Sequence, residues 1–173
     1  GIAAGSTGTV NVSGGSWSSA GQIFVGNGSL NISGGSGSNT VTNIAQNAGN
    51  SATLNLSNGN LTGVALNIGN GTANICGGNT VVSIITRVGN VSGSNGIINF
   101  TSGSLTSGGI YFGSSGNATA NISGGTISVG GNSYFSRGSN STSVVNMSNG
   151  TWTNGSSLVV GDAGNGTLNL SGG

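Results

Sequence analysis

One phrase recurs along this chain at a nearly fixed interval, and it limits the possible folds more than any other feature. It reads Thr/Ser, apolar, Asn, apolar, Ser, Gly, Gly, as in Ser29–Gly35 ("SLNISGG"), Thr53–Gly59 ("TLNLSNG") and Thr167–Gly173 ("TLNLSGG"). Eight copies place their central asparagines at Asn11, Asn31, Asn55, Asn74, Asn99, Asn121, Asn146 and Asn169, spaced 20, 24, 19, 25, 22, 25 and 23 residues apart. The mean, about 22.6 residues, is a period of stacked-repeat architectures.

Each copy alternates polar and apolar residues. In Thr53–Ser57 the two leucines point to one side and Thr53, Asn55 and Ser57 to the other, because strand side chains alternate with period two. The glycines that follow signal a sharp corner. A second element comes after the corner, marked by Trp17, Leu61, Leu105, Ile127 and Trp152, with Gly37 and Thr80–Val81 at the same place in their repeats. A third closes the repeat, as in Ile23–Gly26, Leu66–Gly69, Ile110–Gly113 and Leu158–Gly161. The copies around Ile44 and Phe135 fit loosely, with Gln46 and Arg137 near the expected glycine.

Three short strands in so few residues predict an all-β fold: one coil of a parallel β-solenoid per repeat, about eight coils in all. Coils about 4.8 Å apart would make a rod of roughly 35–40 Å. Leu54, Leu56, Leu61, Leu66 and Ile68 would stack inside. Residues 1–173 read as a single array that begins and ends partway through a coil, Gly1–Gly5 matching the third element and Ser171–Gly173 following a first. Free solenoid ends need polar caps, and none is visible. The expectation is a window of a longer array, or a unit that stacks on copies of itself.

Composition narrows the chemistry. Among 173 residues there are 38 glycines, no proline, and only three charged side chains, Arg87, Arg137 and Asp162. General acid–base catalysis needs a titratable group beside the reacting atoms. Without histidine or glutamate, neither a carboxylate pair nor a Ser/His/Asp triad can form, so no enzyme and no cofactor are expected. One Cys and one Asp are too few to ligate zinc, and calcium usually takes more than one carboxylate. Nucleic acid demands phosphate neutralisation, which two arginines do not supply. No apolar run approaches the roughly 20 residues of a membrane-spanning helix.

The refrain [Thr/Ser]-Φ-Asn-Φ-Ser-Gly-Gly, with its Φ-x-Φ-Gly-Asn-Gly corner at Ile23–Gly28, resembles the repeats of bacterial autotransporter passenger domains and related filamentous adhesins. The resemblance runs from Ile2 to Gly173. It implies a right-handed parallel β-helix, an extracellular or cell-surface location, and a role in adhesion or as a stalk. The membrane-embedded β-barrel of that family is not in this sequence. The resulting expectation is a structural segment of a bacterial surface filament or adhesin, self-associating end to end or laterally. A glycan- or ice-binding module and a curli-like functional amyloid stand as alternatives.

Two surfaces are candidate sites. The asparagine column is expected to point outward as a structural amide ladder, as repeated Asn does in stacked parallel strands. The same spacing writes an N-glycosylation sequon in seven of the eight refrains, with Cys76 breaking the fourth, and a flat polar array could also meet carbohydrate or ice. On the third element, Ile23, Val25, Ile110, Phe112, Leu158 and Val160 are expected inside. That leaves Phe24, Tyr111 and Val159 outside as a lateral contact stripe, with Asn67 and Arg87 in the same column. Exposed apolar stripes can mark interaction surfaces. Trp17 and Trp152 are read as core filling, Cys76 as an inert outward thiol, Asp162 as a turn residue, and both arginines as solvated.

Overall fold

The computed structural model describes residues 6–47 and 49–172, so the proposed third element at Gly1–Gly5 lies outside the described residues, as does Gly173. Among the described residues fourteen strands form one parallel sheet wound into a β-solenoid of about seven turns. The first face stacks the eight refrains in the order β1 (Gly8–Val12), β3 (Gly28–Ile32), β5 (Ala52–Leu56), β7 (Thr72–Val88), β8 (Asn95–Ser107), β10 (Asn117–Val129), β12 (Thr142–Asn154) and β14 (Asn165–Leu170). The second and third elements form β2 (Ser16–Val25), β4 (Ser36–Ile44) and β6 (Asn60–Ile68) in the early coils. In the later ones the third element stands alone as β9 (Ile110–Phe112), β11 (Ser133–Phe135) and β13 (Leu158–Val160).

Three separate strands per coil were expected, but neighbouring elements often fuse. β7 runs through all three, and β8, β10 and β12 through the first two. Glycine explains how a strand turns without ending. The first corner carries Gly15, Gly35, Gly59, Gly78, Gly103, Gly125 and Gly150, all with φ between 71° and 99°. L-residues avoid that region and glycine does not. The coils also press together there: a Cβ on Gly59 would lie 2.6 Å from the carbonyl oxygen of Gly35 one coil back.

On the first face the refrains stack in register through their apolar-Asn-apolar core, Leu30 on Leu54 and Ile32 on Leu56, so that each apolar position continues a core column. The pairing shifts by one residue just beyond it, at Cys76 against Ser102 and at Ser123 against Asn149. Leu54, Leu56, Leu61, Leu66 and Ile68 are buried, as expected. Burial is what drives the stacking, since no coil can cover its own apolar side. In the second element the column reads Trp17, Gly37, Leu61, Thr80, Leu105, Ile127, Trp152. Gly37 is small because the Trp17 ring lies across it, and both tryptophans pack against the core.

Odd and even coils differ. The third corner is short in coils one, three, five and seven (residues 26–27, 69–71, 113–116 and 161–164). It is longer in coils two, four and six, over residues 45–51, 89–94 and 136–141. Each long corner closes a small turn, by Asn50 N–H to Asn47 O, Ser94 N–H to Val91 O, and Ser141 N–H to Gly138 O, at 3.0–3.1 Å. An inward column on the third face follows the same alternation: Ile23, Thr42, Leu66, Thr86, Ile110, Ser133, Leu158. The three buried hydroxyls of this column are all paired, Thr42 with Asn39 (2.9 Å), Thr86 with Ser107 (3.1 Å) and Ser133 with Asn154 (2.6 Å). Pairing is what makes their burial tolerable.

Candidate functional site

On the first face the asparagine column forms a continuous ladder. Asn31 donates its side-chain Nδ2–H to Asn11 Oδ1, Asn55 to Asn31, Asn74 to Asn55, Asn99 to Asn74, Asn121 to Asn99, Asn146 to Asn121 and Asn169 to Asn146, at 2.7–3.1 Å. Every bond runs in one sense, from each coil to the one before it. An interior asparagine therefore spends one amide hydrogen and one carbonyl oxygen on its neighbours. Cys76, two residues beyond Asn74, is exposed and free.

Corner asparagines add a set of bonds that the refrain does not reveal. Asn27, Asn70 and Asn117 each accept a backbone N–H from the next coil, from Ser51, Asn95 and Thr142 respectively, at 2.9–3.0 Å. These side chains take over coil-to-coil pairing where the strand ladder is interrupted.

The outward column of the third face reads Phe24, Asn43, Asn67, Arg87, Tyr111, Tyr134, Val159. Phe24, Tyr111 and Val159 thus share a column, but three polar residues separate the first two and Tyr134 stands between the last two. Half of the column is a second amide run. Asn43 donates to Gln22 Oε1 (2.9 Å), Asn67 to Asn43 Oδ1 (3.0 Å), and Arg87 Nη1 to Asn67 Oδ1 (3.2 Å). Its other half is aromatic. Tyr111 and Tyr134 meet edge to face with centroids 5.3 Å apart, and the Arg137 guanidinium carbon lies 4.4 Å and 5.1 Å from their ring centres. Neither arginine is merely solvated, then: Arg87 ends an amide ladder and Arg137 is laid over two rings.

Arg137 lies in one of the long corners, over residues 136–141, directly after its left-handed residue. The left-handed residue there is Ser136 (φ 59°), and in coil two it is Ala45 (φ 50°). These two occupy the place held by Gly89, Gly113 and Gly161 in other coils. The expected glycine position is therefore one residue before Gln46 and Arg137. Both substitutes are buried, and the Ser136 hydroxyl donates to Asn165 O (2.6 Å). Gln46 instead bonds across the intervening coil to Asn90, at 2.7 Å.

At the β14 end the core lies open. Leu158 and Val160 stand in inward columns yet are 44% and 42% exposed, and Leu170 is 67% exposed, because no further coil among the described residues covers them. A hollow of about 530 Å³ lies here among Phe135, Met147, Trp152, Leu158, Leu168 and Leu170. Trp152 forms its wall, stacked near Phe112 and Phe135 at 6.1 Å and 5.9 Å. Among the described residues no three His, Cys, Asp or Glu side chains gather, and no helix is long and apolar enough to cross a membrane. No family model, curated protein or solved structure matches the chain.

Proposed function

We propose that this chain is a non-enzymatic structural rod, a β-solenoid segment of a bacterial surface filament or adhesin, that works outside the cell and self-associates end to end or laterally. The observation that supports this best is the asparagine ladder, seven side-chain bonds that run coil to coil along one face over a continuous apolar core. Another rung of the same repeat would cover Leu158, Val160 and Leu170 and extend both faces. Composition supports a structural role as well, since one carboxylate and no histidine leave this segment no acid–base pair. With two arginines and no lysine it offers trypsin few cleavage sites, a useful property in an exposed fibre.

Electron microscopy and sedimentation of the purified chain over a range of concentrations test this reading. Rods that lengthen or bundle as concentration rises are the expected result. Dispersed rods of about 35–40 Å (seven to eight rungs at about 4.8 Å) at the highest concentration would sink it. Leu170→Asp should shift assembly to higher concentration if the β14 end is the contact.

A further inference from the structure

Both arginines and both tyrosines of the chain meet on the third face. Arg87 is the cross-strand neighbour of Tyr111, Tyr111 is that of Tyr134, and Arg137 lies over both rings. In a chain with only 2% charged residues, the whole cationic inventory occupies one patch. We propose that this patch binds an acidic polysaccharide, a sugar chain carrying uronate carboxylates, laid along the column from Tyr134 towards Asn43.

Each part of the column matches one part of such a ligand. A guanidinium stacked on aromatic rings keeps its in-plane N–H edge for a carboxylate, and the stacking fixes it in advance, which lowers the ordering cost of binding. Arg87 is held from its other side by Asn67, so both cations are already positioned. The parts of the Tyr111 and Tyr134 rings that Arg137 leaves uncovered, with their hydroxyls, offer an apolar body and a polar tip to a pyranose. Beyond Arg87 the Asn67 and Asn43 amides supply further donors and acceptors in line with the rod axis.

Other anions fit less well. Nucleic acid relies on neutralising many phosphates, which two arginines cannot do. An acidic peptide brings carboxylates but no ring face. The chain's one acid, Asp162, occupies the corner of the next coil, so a second copy presenting its Asp162 to Arg137 is the rival to be separated. The proposal takes its setting from the adhesin reading, but binding by monomers stands or falls apart from fibre formation.

The test is calorimetric titration of monomeric protein with oligogalacturonate, and with the same oligosaccharide methyl-esterified so that only its charge is removed. Saturable binding to the acid form is expected, at least tenfold weaker for the ester and weakened by salt, since exposed charge pairs are screened. Arg137→Gln, and separately Tyr111→Leu, should each weaken it at least fivefold, with circular dichroism and melting showing the rod intact. Equal binding of ester and acid, no binding of the acid form at low salt, or unchanged binding by Arg137→Gln would each overturn the proposal. So would self-association abolished equally by Arg137→Gln and Asp162→Asn without any glycan binding.

Discussion

On the first face, eight successive rungs carry asparagine at the same place. On the third, the corresponding outward column changes from phenylalanine through amides to arginine, tyrosines and valine. Both faces belong to the same coils and rest on the same core. An amide ladder rewards repetition, because each rung is partner to the rungs on either side, and one wrong residue strands two neighbours. Off this face the first corner repeats its glycine, and the inward columns need only fill the core or pair their polar atoms. Outward positions on the third face are free to vary, and they hold the chain's cations and its tyrosines.

Corner glycines set the scale against which both faces are judged. Gly59→Ala forces a Cβ into a left-handed position and against the Gly35 carbonyl, at an expected loss of about 3 kcal/mol. Gly14→Ala, with nothing within 4 Å of its added Cβ, should stay within about 0.5 kcal/mol. Equal denaturant midpoints for the two would refute the corner argument.

A smaller effect separates the faces directly. Asn74→Ala removes two ladder bonds, to Asn55 and Asn99, and should cost about 2 kcal/mol. Tyr111→Asn on the third face loses an edge-to-face contact and a cation–π contact, for about 1 kcal/mol. If urea unfolding ranks them the other way, the uniform face is not the one under stronger constraint. Smallest of all is Ala45→Gly. It relieves a left-handed alanine, a conformation costing roughly 1–2 kcal/mol, but gives up a buried methyl of about 0.8 kcal/mol. A gain of no more than about 1 kcal/mol in melting experiments is expected, and a large loss would show that the third corner depends on the Ala45 methyl.

Much of the solenoid is legible in the sequence because a stacked coil must repeat whatever its neighbour needs. The refrain marks the first face, its glycines mark the first corner, and register follows once Asn is set on Asn. The two-coil alternation is written in the spacings too, as 20 and 24, 19 and 25, 22 and 25, yet a mean period conceals it. Ala45 and Ser136 blur the third corner, because left-handed geometry there does not call on glycine. Tyr134 and Arg137 consequently fall out of alignment, and the aromatic patch with them. The paired buried hydroxyls are harder still to read: Thr86 finds Ser107, and Ser133 finds Asn154, on the following coil, a relation that no single repeat contains.

The one-way sense of the asparagine ladder gives the rod an electrical direction. Backbone bonds between parallel strands run both ways along the axis and largely cancel. The seven side-chain amides do not, since all donate towards the β1 end. One end of the column shows amide hydrogens and the other shows carbonyl oxygens, so two such rods placed head to head would set like against like. Only head-to-tail stacking continues the column, and a fibre built that way would be vectorial, with chemically distinct ends and one preferred direction of growth.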